Sequence, residues 1–172
     1  MKFRNLEIYV NYGKVDISLI RNFEQAFGIK LPKLYIELCL NHNAPSIKNN
    51  CITYYDFYND EEGMTSIGFD AFINEEDFDG YSMSNILRQY ICDDSIYGYE
   101  HVYSFGSSAN GDWICFDYRD NPVGDEPKIC IVIHDEYDEK TGKHLLFPIA
   151  DNFEQFLDNL KTFDEIMAKY EI

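Results

Sequence analysis

The sequence predicts one α+β domain spanning residues 1–172, and three observations carry that reading. Helix-spaced apolar residues occupy the stretch before Leu40 and the stretch after Ala150, while aromatic and β-branched runs fill most of the chain between. Near the middle, His101–Tyr118 (HVYSFGSSANGDWICFDY) sets two such runs around a loop of small residues ending in Asn110-Gly111-Asp112. No internal repeat, low-complexity tract or linker divides the chain, and its length suits one substantial core better than two.

In chain order, Leu6–Val10 is a short strand with Asn11-Tyr12-Gly13 as its exit turn. Asp16 is the expected N-cap of a first helix. Its Leu19, Ile20, Phe23, Ala26 and Phe27 recur at helical spacing, opposite Arg21, Asn22 and Gln25. Gly28 ends it, because glycine takes the left-handed conformation of a helix C-cap without steric penalty. Pro32 is expected at the first position of a second helix, where its missing N–H costs nothing. That helix, running to about Leu40, is apolar nearly all round and should be deeply buried.

From Cys51 the texture changes. Ile52–Tyr58 alternates as a strand, Asn59–Gly63 reads as an acidic turn, and Met64–Phe69 as another short strand. Asn74–Gly80 is an acidic loop, and Ser82 or Ser84 caps a helix carrying Ile86, Leu87, Tyr90 and Ile91. His101–Tyr118 is then a central hairpin, since its runs suit a pleated surface and Asn110-Gly111 supplies the positive φ of a reversal. In its second arm Trp113, Cys115 and Asp117 share one face, and Ile114, Phe116 and Tyr118 the other. Both faces are largely apolar, so this strand belongs inside a sheet covered on both sides. Asp117, where the arm leaves the core, reads either as a turn residue bonding local backbone or as a binding carboxylate. Asp120–Pro127 is a turn, Ile129–Ile133 a buried strand, His134–Lys143 a charged excursion and Leu145–Phe147 a return to the core. Asp151 or Asn152 starts a closing helix with Phe153, Phe156, Leu157 and Leu160 on one stripe.

Charge is the most informative total. The formal net charge of −17 divides into +3 over residues 1–55, −11 over 56–100 and −9 over 101–172. Such a field repels phosphate backbones, which argues against nucleic acid as a partner, and it speeds capture of a basic protein. The plainer alternative is a solvated acidic surface that aids solubility. Tyrosines, 14 of them, suit binding surfaces because each joins a rigid apolar ring to a polar tip. The five cysteines, Cys39, Cys51, Cys92, Cys115 and Cys130, are odd in number, form no Cys-x-x-Cys and sit among apolar neighbours, as buried free thiols of a reducing compartment do. The first residues lack the apolar run of a signal peptide and no segment approaches membrane-spanning length, so a cytoplasmic location is expected, away from any membrane.

Motifs for chemistry are sparse. Glu75, Asp77, Asp79 and Gly80 match four positions of a calcium loop, but Ile86 stands where the bidentate glutamate belongs. The histidines, His42, His101, His134 and His144, are scattered, and His134-Asp135-Glu136 is the nearest thing to a metal-ligand cluster. No Gly-x-Ser-x-Gly elbow is present. The Gly106–Gly111 loop lacks a P-loop lysine and is followed by Asp112, which argues against phosphate. No cofactor or metal is expected, and a hydrolase built on scattered carboxylates ranks low.

Three landmarks in order carry a resemblance. The first is Phe27-Gly28-Ile29-Lys30-Leu31-Pro32-Lys33-Leu34-Tyr35, a Gly-x-x-Leu-Pro-x-x-Tyr that opens a second helix. The second is Tyr103-Ser104-Phe105-Gly106 followed by Asn110-Gly111-Asp112-Trp113-Ile114-Cys115-Phe116-Asp117. The third is Ala150-Asp151-Asn152-Phe153-Glu154-Gln155-Phe156-Leu157, the closing helix after a late strand. Together, from about Asp16 to Leu160, they resemble the SUKH superfamily, bacterial immunity proteins together with fungal regulators of cell-wall assembly. One departure is His42-Asn43-Ala44-Pro45, where relatives tend to have Asn-Gly.

The resemblance implies a mixed, largely antiparallel sheet with helices packed against it and no catalytic site. It also implies an intracellular antidote that binds a cognate toxin, often a nuclease, of a polymorphic toxin system. The expectation is therefore a non-enzymatic immunity protein for a basic, nuclease-type toxin domain; the alternative is a scaffold or regulator of an endogenous partner. The expected partner-binding residues are Asp56, Tyr58, Asp60, Glu61 and Glu62, then Asp117, Tyr118 and Asp120. Gly28, Leu31, Pro32, Tyr35, Gly111 and Asp112 are expected to build the fold instead.

Overall fold

Asp16 accepts a hydrogen bond from the Ser18 N–H at 2.9 Å and so starts α1 (Ile17–Phe27), which Gly28 closes at φ 64°. The structure, a computed structural model, describes residues 1–74, 80–85, 89 and 98–171. Glu24, buried on the last turn of α1, accepts from the Leu31 N–H at 2.8 Å and ties that helix to the approach of the next. In α2 (Lys33–Asn41), Pro32 is the N-cap and not the first helical residue; its extended backbone (ψ 136°) leaves the turn to begin at Lys33. The helix is also less enclosed than its composition implies. Tyr35, Leu38 and Cys39 are buried, Leu34, Ile36 and Leu40 half-buried, and Glu37 marks a solvent side.

The His42–Pro45 loop forms without a glycine. Ala44 takes φ 46° itself, and the buried Asn43 side chain clamps the Phe72 backbone, accepting from its N–H at 2.9 Å and donating to its carbonyl at 2.8 Å. Ala44→Gly is expected to raise stability by about 0.5–1 kcal/mol in chemical denaturation, since glycine removes a left-handed strain that exceeds its own entropy cost; a loss of stability would contradict this.

Strands β1 (Lys2–Phe3), β2 (Leu6–Val10) and β3 (Ser46–Ile47) form a three-stranded antiparallel sheet. Strands β4 (Cys51–Asp56), β5 (Glu61–Phe69), β6 (Val102–Ser108), β7 (Trp113–Asp117), β8 (Lys128–Tyr137) and β9 (His144–Ala150) form a six-stranded meander in sequence order. All pairings between these strands are antiparallel; the one parallel pairing among the described residues is the isolated bridge of Ala71 with Ser82. Tyr54 of β4 stacks on Phe147 of β9 at 5.8 Å, which curls the meander into a near-barrel. Two helices close the chain, α3 (Phe153–Asn159), capped by Asn152, and α4 (Phe163–Met167), capped by Thr162.

Two strands run further than the sequence reading gave them. Glu61 and Glu62 are strand residues, because Asp56 pairs with Glu61 and the reversal is confined to residues 57–60. β8 continues through His134–Tyr137, where Tyr137 pairs with His144, so the charged excursion shrinks to residues 138–143. The short α4 has no counterpart in the sequence reading. Residues 75–79 of the expected acidic loop with the calcium-type carboxylates, Cys92, and Ile86, Leu87, Tyr90 and Ile91 of the expected helix lie outside the described residues.

The central hairpin forms as expected, with a bulge between Ser104 and Gly106. Ile114 and Phe116 face the main core, while Cys115 faces a second cluster with Val102, Cys130 and Val132; all are almost fully buried. Cys39, Cys51, Cys115 and Cys130 are buried thiols outside any disulfide. At the centre of the main core the Tyr35 ring meets Phe72, Phe105, Phe116 and Phe153 at 5.0–6.3 Å. Gly106 is required by proximity: a Cβ there would lie 2.4 Å from the Gly68 carbonyl oxygen on β5. Gly106→Ala should therefore part β5 from β6 and cost about 1–3 kcal/mol in urea titration; an unchanged midpoint would show that the strands separate freely.

Candidate functional site

The candidate interface is the end of the β4–β5 hairpin, and it is built from its own turn chemistry. Asp56 Oδ1 accepts from the backbone N–H groups of Tyr58 (3.0 Å) and Asn59 (2.9 Å), and Oδ2 accepts from the Asn59 side chain at 2.9 Å. This cap folds the reversal, and Asp60 completes it at φ 53°, a conformation aspartate tolerates. The Tyr55 hydroxyl donates to the Asp60 carboxylate, which holds that phenol above its usual range. Three aromatic side chains stand out of the hairpin, Tyr55 56 %, Phe57 59 % and Tyr58 48 % exposed, beside exposed Asp60, Glu61 and Glu62. Phe57 also touches Phe147 edge-on at 5.1 Å, so the tip is anchored to the barrel. Gly63 makes this possible: a Cβ there would strike the Tyr54 ring at 2.3 Å, and that ring is the one stacked on Phe147. On the opposite hairpin face, the Glu62 carboxylate holds the exposed Tyr170 phenol above its usual range by accepting its hydrogen bond.

The eight sequence-predicted residues do not form one surface. Asp56, Tyr58, Asp60, Glu61 and Glu62 come together, although Asp56 is buried (8 % exposed) and spent on the turn. Asp117, Tyr118 and Asp120 lie at the other end of the sheet, because Asp117 pairs with Val102 while β5 leaves β6 at Ser108 on the way to the hairpin tip. Tyr118 is 1 % exposed and its hydroxyl donates to the Lys30 carbonyl at 2.6 Å, so it bonds the fold together and offers no surface. Asp117 accepts from the Arg119 backbone N–H at 3.1 Å and from Nε and Nη2 of its guanidinium at 2.9 Å, in keeping with its turn reading. Asp120 meets Lys128 Nζ at 2.8 Å, which holds its carboxyl below the usual range.

Sequence reasoning missed a group beside the hairpin. Asp112 Oδ1 accepts from the His134 backbone N–H at 3.1 Å and from its Nδ1 at 2.8 Å, and Oδ2 accepts from the Ser108 hydroxyl at 3.2 Å. A carboxylate only accepts, so Nδ1 carries the proton and Nε2 is the open ring atom. Asp112 thus locks the β6–β7 turn to β8. With His134 and Asp135 it forms the only set of three described side chains whose ligand atoms, within 4.8 Å of one another, could hold a metal ion. The signal was half visible in His134-Asp135-Glu136; its partner lay 22 residues away.

Asp112 raises the His134 pKa above the ordinary 6.5. The charged pair therefore stabilises the folded state fully below pH 6.5, and this contribution fades as pH rises through the raised value. His134→Gln is expected to lose more stability at pH 5.5 than at pH 9 in urea titrations; a pH-independent loss would contradict the pairing.

The β4–β5 hairpin thus presents negative charge and exposed aromatic rings at one end of an α+β near-barrel. The chain is matched over residues 14–159 by the model of the SMI1 / KNR4 family (SUKH-1), and it belongs to that family. Members are in general non-enzymatic immunity or regulatory proteins that bind partner proteins such as toxins. No curated protein matches the chain. Among the described residues no helix is long and apolar enough to cross a membrane.

Proposed function

We propose that this chain is a cytoplasmic immunity protein that binds and neutralises a cognate basic toxin, of nuclease type, in a bacterial polymorphic toxin system. It acts by occupancy, with no bond made or broken. The observation that carries this reading is the β4–β5 hairpin, where Tyr55, Phe57 and Tyr58 stand exposed among Asp60, Glu61 and Glu62 in a chain of net charge −17. A nuclease must gather lysine and arginine around its substrate phosphates, and the same cations would take these carboxylates in charge-assisted hydrogen bonds. The aromatic rings supply rigid anchors, and the filled cleft admits no nucleic acid. Buried thiols outside any disulfide at Cys39, Cys51, Cys115 and Cys130 suit a reducing cytoplasm.

Co-expression with the toxin domain encoded beside its gene tests the reading. Restored growth with a co-purifying complex is the expected result. A protein that neither restores growth nor binds that domain, while capturing an endogenous partner, would replace it with the regulator or scaffold reading.

A further inference from the structure

In a regular strand consecutive side chains point to opposite faces, yet His134 and Asp135 of β8 converge. His134 Nδ1 lies 3.8 Å from Asp135 Oδ1 as well as 2.8 Å from Asp112 Oδ1. The strand is irregular there, because its register against β9 shifts between Val132 and Tyr137. One nitrogen and two oxygen donors, drawn from the β6–β7 turn and from β8, thus meet at one point.

Asp112 is fixed in place as metal-binding carboxylates are, by hydrogen bonds behind it. It is buried, and the Ser108 hydroxyl that donates to its Oδ2 is itself held, accepting from the Asn110 N–H at 3.2 Å and the Asp112 N–H at 3.1 Å. The His134 ring is seated against Gly111, where a Cβ would stand 3.5 Å from it. The site is also short of positive charge. Among the described residues neither Asp112 nor Asp135 has a lysine or arginine as ion-pair partner, and His134 serves both. Burial, and then the carboxylates of Asp112, Asp56, Glu136 and Glu61, hold the nearby Tyr54 phenol above its usual range, so the surrounding field is negative as well.

We infer that Asp112, His134 and Asp135 bind a divalent first-row transition-metal ion, with zinc as the reference case. The ion takes the place of the Nδ1 proton, and the ring keeps a single proton on Nε2. Donors of a tetrahedral zinc lie about 3.3 Å apart, so Nδ1 and the Asp112 oxygen part by about half an ångström. Asp135, 68 % exposed, is free to close in from the other side. Three protein donors leave the outward position to water. The imidazole donor favours zinc, nickel or copper over calcium and magnesium, which take oxygen ligands. None of these ligands belongs to the β4–β5 hairpin, and the inference stands whether or not that hairpin binds a toxin.

The probe is zinc chloride, titrated into the full chain at neutral pH and followed by calorimetry, with the His134 ring followed by NMR. One zinc per chain is expected, saturating well below about 1 mM and shifting the ring nitrogens of His134. Asp135→Asn, at an exposed position, should keep the fold and weaken zinc by about tenfold or more; His134→Gln should abolish saturation. A tenfold excess of calcium chloride should change the zinc affinity by no more than about twofold. No saturation below about 1 mM, undiminished affinity in either variant, zinc bound without a change at the His134 ring, or displacement by calcium would each overturn the inference.

Discussion

Tyr35→Ala is expected to cost about 3–5 kcal/mol, most of the margin of a domain this size. The ring is 1 % exposed and supports four phenylalanines drawn from the 70s segment, β6, β7 and α3, so its removal leaves a cavity that no single neighbour can fill. The hydroxyl is a different matter. It has no oxygen or nitrogen partner among the described residues and lies against the Cys39 thiol, a weak one. Burial pushes the Cys39 thiol up to about 12 and holds the Tyr35 phenol well above its usual range, so both stay neutral. Tyr35→Phe should thus fall within about 1 kcal/mol of the wild type in urea titration. A large loss in the phenylalanine variant would show that the hydroxyl holds the core, and a small one in the alanine variant that the ring does not.

Reversing charge at Asp60, Glu61 and Glu62 together should slow association with a basic toxin by about tenfold or more at low salt. Dissociation should change less, and the difference should shrink as salt screens exposed charges beyond about 10 Å. These carboxylates are exposed on a hairpin whose nearest partners are phenols, so their field reaches solvent undiminished. Asp120→Lys is the internal comparison. That carboxylate already meets Lys128 and sits at the far end of the sheet, and its reversal should leave the rate nearly as it was. An equal effect of both changes would mean that net charge alone, and not the hairpin, steers the encounter.

Local chemistry made much of the fold legible. The caps at Asp16, Gly28 and Asn152 and the reversal at Gly111 act within a few residues of themselves, so their signals survive in sequence. The extensions of β5 through Glu61 and Glu62 and of β8 through His134–Tyr137 were hidden for a physical reason. They overhang the sheet, so no buried face imposes alternation, and pairing across the hairpin is what keeps them extended. Closure of the near-barrel by Tyr54 and Phe147 and the lock between Asp112 and His134 join distant residues of ordinary type. For the proposed interface, the acidic run at 56–62 was legible as a charged hairpin, but Asp56 is consumed by its turn. Tyr118 misled because its strand face alternates inward, beside Ile114 and Phe116.

The central claim is that the exposed end of the β4–β5 hairpin is the contact surface for a basic protein. Amide hydrogen exchange of this chain, alone and bound to the neighbouring toxin domain, tests it most directly. The claim predicts new protection concentrated at residues 55–62, with none around Asp117–Asp120. Protection at that far end of the sheet, with the hairpin exchanging as fast as in the free protein, would contradict it.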